Sequence, residues 1–276
     1  MAPLPAMGVL RERLHHLSTH LRSSSATRSG SPAATGAADD VAKASSLAAG
    51  SCRSLREGGA SDEECAAHIL EHGFLLVDDM LVGNELAAAQ AAYTRLMEPA
   101  RVQWLAAREQ GLQKGDEFEG QVIVNPPSDG YFDIPRVVEH DDCFLDIVAH
   151  PRITGVLDKV IGPELQLLNI QCRSYPAQDP EIAAAQGGYA GWHNDRGYGV
   201  LFNNSRALHV VVMFYFWDTG VDDGCTSVVP DSHLIDDKSD LLASQQSAKG
   251  QHAQFAMPGM LACDRRAGSA VIFDER

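Results

Sequence analysis

The chain has 276 residues, 45% of them hydrophobic, and a formal net charge of -15. That size and apolar content suffice for one large domain or two small ones with a substantial core. The acidic balance argues against general binding to nucleic acid or to an anionic membrane surface, and no apolar run reaches the roughly eighteen residues that a transmembrane helix needs.

Residues 1–38 carry one acid, Glu12, against Arg11, Arg13, Arg22 and Arg28. Leu10, Leu14, Leu17 and Leu21 recur at helical spacing, and a Ser/Ala/Gly-rich stretch follows. This composition fits either an organelle transit peptide or a plain disordered tail, so residues 1–60 are expected to stay out of the fold. An intracellular location is expected, mitochondrial or plastid if the segment is a transit peptide and cytoplasmic otherwise. The six cysteines form no CxxC pair, which points to scattered reduced thiols, mostly buried.

The folded part, residues 61–276, is expected to begin with a helix over 62–72. Ser61 and Glu64 have capping-box spacing and Gly73 suits the position just past the helix end. A short buried strand over 74–77 follows. Asn84 is placed to cap a second helix, which Pro99 should break or restart before Trp104. Residues 115–140 read as irregular, with turn signals at Pro126-Pro127 and Asp129-Gly130. A helix pair over 142–150 and 151–160 ends at Gly162-Pro163. From 165 onward the pattern is β: strands are expected over 165–174, 207–217, 226–229 and 269–274. Helices followed by strands and loops suggest helices packed on an antiparallel sandwich or jelly roll.

The chemistry centres on Gly191-Trp192-His193-Asn194-Asp195. In an extended segment His193 and Asp195 share a face, so an imidazole and a carboxylate can occupy two corners of a metal site. A third ligand from a distant strand would complete the 2-His-1-carboxylate face of non-heme iron(II) oxygenases. A His-x-Asp alone is weak, since about one arises by chance in a chain of this composition. His140 and Asp142 repeat the spacing, at a predicted helix start where Asp is more simply a cap.

Context adds specificity. His72-Gly73-Phe74 precedes the motif, and after it come Asp223-Gly224, the corner Pro230-Asp231-Ser232-His233, and the strand Gly268-Ser269-Ala270-Val271-Ile272-Phe273-Asp274. In this order, from about residue 65 to the end, the chain resembles the phytanoyl-CoA dioxygenase family of iron(II)- and 2-oxoglutarate-dependent dioxygenases. Asp231 stands where the family's corner carries glycine.

The resemblance implies a double-stranded β-helix, or cupin-like jelly roll, with helices packed outside it. It implies iron(II) held by His193 and Asp195, with 2-oxoglutarate as co-substrate, O₂ as oxidant and ascorbate as a reductant. The partner is a small-molecule substrate, organic or lipid-like, hydroxylated at a C–H bond. Because Asp195 is present, hydroxylation is favoured over the halogenation seen where that carboxylate is missing.

The family's distal metal-binding His follows the 270–274 strand by a few residues, and its 2-oxoglutarate Arg comes later. Neither lies within the 276 residues, so iron is expected to bind weakly to a chain of this length. An inert fragment or a non-catalytic jelly-roll binding protein is the alternative. Arg173, with Gln171 and Tyr175 on the same strand face, is a candidate contact for the oxo-acid carboxylate. Trp192 and Tyr198 flank the ligands and are expected to support them or line the pocket. His209, His233 and His252 are expected to be structural or solvent-exposed.

Overall fold

Ser61 starts the first helix as its pattern requires. In the computed structural model its side chain accepts the Glu64 N–H at 3.2 Å, while the Glu64 carboxylate accepts the Ser61 N–H at 2.8 Å. Asp62, Glu63 and Glu64 lie against the positive end of the helix dipole. The structure describes residues 52–54, 59–113, 115–118, 121–122, 131–175, 207, 209–235, 257 and 259–276, all within the unit Asp40–Arg276.

In chain order the described elements are β1 (Cys52–Ser54), α1 (Asp62–His72), β2 (Phe74–Asp78), α2 (Asn84–Glu109), β3 (Glu117–Phe118), β4 (Gln121–Val122) and β5 (Phe132–Pro135). They continue with α3 (Asp142–Val148), α4 (Pro151–Ile161), β6 (Gln171–Ser174), β7 (Val210–Phe214), β8 (Ser227–Val228), β9 (Leu261–Ala262) and β10 (Ala270–Asp274). The main sheet runs β1-β2-β10-β7, with β10 antiparallel to both neighbours and β1 parallel to β2. β3 with β4, β5 with β6, and β8 with β9 form antiparallel pairs.

Alternation divides the main sheet into two apolar faces. Leu75, Val77, Ala270, Ile272, Val210 and Val212 meet Cys65 and Ile69 of α1 and Ile153 and Val156 of α4. A Cβ on Gly155 would lie 2.2 Å from Asp62 Oδ2, so a larger residue there would have to push the Asp62 carboxylate aside. The opposite face, with Phe74, Leu76, Val271 and Phe273, packs on Val228 of β8 and Leu261 of β9. A third cluster joins α2, α3 and the β5–β6 pair through Trp104, Phe132, Phe144 and Cys172. The cysteines whose side chains are described, at 65, 143, 172, 225 and 263, are free thiols.

Several expectations need correction. Residues 52–54, assigned to the unfolded leader, add a parallel edge strand to β2; three residues are too short to show a period. Gly83, not Asn84, is the N-cap of α2, and it supplies no side-chain bond. α2 runs unbroken through Pro99, because Met97, Trp104 and Ala107 are buried on both sides of the proline and anchor the two halves. Residues 115–140, read as irregular, contain β3, β4 and β5, the last held by its register against β6. β6 begins at Gln171, not near 165, and β7 is the five-residue core of the longer strand expected over 207–217. Among the described residues no barrel closes.

Candidate active site

His193 and Asp195, with Trp192, Tyr198 and His252, lie outside the described residues. Both ends of the segment that carries the His-x-Asp motif are described. It leaves after Tyr175, next to β6, and returns at Ala207 ahead of β7. The first residue of β7, Val210, pairs with Asp274 at the end of β10, whose N–H donates to the Gly73 carbonyl at 2.8 Å. The described chain therefore resumes at the end of the main sheet formed by the start of β2, the start of β7 and the end of β10.

That end is polar although the sheet is apolar. The Asp274 carboxylate accepts Arg276 N–H at 3.0 Å, Nε at 2.9 Å and an Nη2 contact at 2.7 Å, with the two side chains 1% and 7% exposed. Burial of both charges is tolerable because three N–H groups satisfy the carboxylate. Beside it, the Glu275 carboxylate, 3% exposed, contacts His209 Nδ1.

The corner at Asp231-Ser232-His233 closes the same end. Gly73 sits at φ +82°, and a Cβ there would fall 2.5 Å from His233 Nδ1. His233 is buried, with Nε2 3.1 Å from the Leu70 carbonyl. Desolvation pushes its pKa below the ordinary histidine value, assisted by the Arg276 charge and opposed by the Leu70 carbonyl. Asp231 takes the left-handed backbone, φ +64°, that glycine would fill. Its N–H donates to the His72 carbonyl at 3.0 Å and its carboxylate meets His72 Nδ1 at 3.0 Å.

On β6, alternation holds: Gln171, Arg173 and Tyr175 are exposed and Cys172 is buried against α2. The Arg173 fork, however, is already taken. Nε and Nη2 donate to the two oxygens of Asp133, directly opposite on β5, at 2.7 and 2.8 Å. The guanidinium lies 4.3 Å from the Tyr131 ring centroid, and Nη1 is 3.5 Å from the Tyr175 hydroxyl. The Asp133 pairing, ahead of the opposing effect of burial, raises the Arg173 pKa further. An open two-pronged clamp for an oxo-acid is therefore not what Arg173 presents; its carboxylate partner is internal. Gln171 Oε1 accepts Asn169 Nδ2 at 3.4 Å.

The other candidates separate cleanly. His140 and Asp142 are both exposed, and the adjacent Asp141 caps α3 by accepting the Cys143 N–H at 2.9 Å. His233 serves the corner, as expected of a structural histidine. His209 is held by a buried acid, which its surroundings in the sequence do not announce. Among the described residues no three His, Cys, Asp or Glu side chains form a group able to hold a metal. A cleft of about 230 Å³ between α2, β5 and Trp217 is lined by Tyr93, Met97 and Phe132, and its one carboxylate, Glu98, pairs with Arg101 at 2.6 Å.

Sequence reasoning missed Asp133, because its strand was read as loop, and Glu275. The run Asp274-Glu275-Arg276, three charges directly after the apolar stretch Ala270-Val271-Ile272-Phe273, was the signal available for the latter.

No curated protein matches the chain. Among solved structures it is similar to SnoN, a non-heme alpha ketoglutarate dependent epimerase from nogalamycin biosynthesis, at 19% identity and TM-score 0.46, over 78% of this chain and 72% of that one. It is similar to SnoN in complex with Fe3+, alpha ketoglutarate and nogalamycin RO at 19% identity and TM-score 0.48, over 78% and 74%. For the carbocyclase SnoK the figures are 19%, 0.48, 77% and 74%. Residues 69–276, from within α1 to the end of the sequence, match the family described as phytanoyl-CoA dioxygenase (PhyH). With three quarters of its length in that match, the chain belongs to the phytanoyl-CoA dioxygenase family.

Proposed function

We propose that this chain hydroxylates a small organic or lipid-like substrate, with His193 and Asp195 as two of its iron ligands. Its family places it among the non-heme iron- and 2-oxoglutarate-dependent enzymes. The observation that carries the finer reading is the family match over 69–276, which contains the His-x-Asp motif and the ordered glycine turn, corner and final strand.

The donor set fits the metal. One imidazole and one carboxylate supply two of the three protein positions of an iron(II) facial site, whose remaining positions take a chelating oxo-acid and O₂. When bound, iron with 2-oxoglutarate and O₂ supplies the oxidising chemistry: one oxygen atom enters the substrate C–H bond and the other enters succinate as CO₂ leaves.

The chain's own residues hold, orient and dry the site. Phe273, Val271 and Met213 form an apolar wall between the main sheet and the β8–β9 pair, which excludes water. The Gly73–His233 contact and the His72–Asp231 pair fix the corner over the sheet end where the described chain resumes before β7. We read the two facing sheets as parts of a jelly roll. Arg173, with Asp133, ties β5 to β6 just before the motif segment departs.

The test needs no knowledge of the substrate. Under anaerobic conditions, adding 2-oxoglutarate together with excess iron(II), which two protein ligands hold weakly, should produce the visible charge-transfer band of a chelated oxo-acid. Admitting O₂ with ascorbate should then yield succinate. His193→Ala and Asp195→Ala should each abolish both signals. Retention of the band in either variant would show that the residue is not a ligand.

A further inference from the structure

The C-terminal end of α1 gathers imidazoles. His68 and His72 stand four residues apart, so one helix face carries both. Their ring centroids are 4.7 Å apart, with the planes inclined at 56°. The Asp231 carboxylate, brought in from the corner that follows β8, meets His72 Nδ1 at 3.0 Å. Glu71 Oε2 lies 3.9 Å from the other ring nitrogen of His72, Nε2.

Asp231 sits at φ +64°, a backbone that glycine would hold without cost. Its pair with His72 is partly exposed, and such a pair adds little stability. A carboxylate kept at a strained position for so little stability points to its effect on the ring. It fixes the plane of His72 and, by engaging Nδ1, presents Nε2 as the ligating nitrogen.

Two histidines at i and i+4 on one helix face are a bidentate arrangement for a transition metal. An ion bonded to each Nε2 at about 2.0–2.1 Å would stand roughly 3.2 Å from each ring centroid. Centroids 4.7 Å apart then subtend about 95° at the ion, an angle between the square and the tetrahedral value. His68 Nε2 is covered as the rings stand, so ligation turns that half-buried ring about its Cβ–Cγ bond, which barely moves its centroid.

We propose that His68 and His72, the latter oriented by Asp231, form a metal site at the end of α1 for a divalent cation that prefers imidazole, of the zinc(II) or copper(II) class. Water fills the remaining positions, and hard cations such as Mg(II), which take oxygen ligands, are excluded. Through the His72–Asp231 pair the ion clamps the end of α1 to the corner. The proposal does not depend on His193 or Asp195.

Zn(II) is titrated into the full chain carrying His193→Ala and labelled with ¹³C at histidine Cε1, a background that leaves the His-x-Asp motif without its imidazole. The His68 and His72 signals are assigned by their loss in His68→Gln and His72→Gln, with the asparagine variants in reserve should either fail to fold. Both signals should shift together with one dissociation constant, and Mg(II) should move neither. In each single variant the remaining histidine should need at least about tenfold more Zn(II), because the second bond of the chelate is gone. Asp231→Asn should weaken Zn(II) binding about 10–100-fold, the usual effect of losing a carboxylate behind a ligating histidine. If only one ring responds, or each responds unchanged when the other is replaced, there is no chelate and the proposal falls. If both rings respond and Asp231→Asn leaves the affinity as it was, the orienting role of Asp231 is overturned.

Discussion

Asp231 holds a backbone position that costs most non-glycine residues roughly 1–2 kcal/mol. At φ +64° it keeps that position because its carboxylate reaches His72 and its N–H is bonded to the His72 carbonyl. Asp231→Gly removes the backbone cost and also a half-exposed ion pair worth about 0–1 kcal/mol, so it should be nearly neutral. Asp231→Ala keeps the cost and loses the pair, and should fall about 1 kcal/mol below the glycine variant in urea unfolding.

His233 adds a pH dependence to the same corner. Its folded pKa lies below the ordinary 6.5, chiefly through desolvation. The native state therefore prefers the neutral ring. The stability it contributes is complete above the unfolded value and is lost as pH falls through the depressed folded value. Urea midpoints measured downward from pH 7 should drop below about pH 6.5. His233→Gln, which can still donate to Leu70, should flatten that limb; an unchanged slope would place the acid sensitivity elsewhere.

At the scale of elements, legibility followed local chemistry. The capping box of α1, the left-handed Gly73 and the Pro151 start of α4 are written in a few neighbouring residues, and each was readable. β5 was not, because Phe132–Pro135 is a strand only through its register with β6 on the far side of two helices. The continuity of α2 was also hidden, since tertiary burial overrides a local breaker. Pro99 is exposed, so its main effect is the lost hydrogen bond and the clash inside the helix. Pro99→Ala should therefore stabilise the protein by about 1–3 kcal/mol, visible as a higher melting temperature. Destabilisation would mean that the proline shapes a bend the packing needs.

Across the whole molecule, one strand ties the layers together. Ile272 and Ala270 of β10 face α1 and α4, while Val271 and Phe273 face the β8–β9 pair, and Ala270, Val271 and Ile272 are each 0% exposed. Phe214 on the neighbouring β7 touches both the helix-side cluster and the cluster around α2. The strand was legible as an apolar run. Its central place was not, because the sequence does not show which strands become neighbours. The same limit applied to the candidate site: the His-x-Asp motif could be read, whereas the pairing of His209 with Glu275 depends on β7 lying beside β10. A cavity in β10 should be felt on both faces. Ile272→Ala should cost about 2–5 kcal/mol, the range for a large aliphatic side chain lost from a closed core. Val271→Ala, with fewer atoms removed, should cost less. Because the layers share this strand, unfolding in Ile272→Ala should remain a single transition. Far-UV circular dichroism, which reports all the helices, and tryptophan fluorescence, to which the buried Trp104 contributes, should give coincident urea midpoints. Midpoints that separate would show that the α2 layer stands without the central sheet, and β10 would then be the core of one layer and not the tie between them.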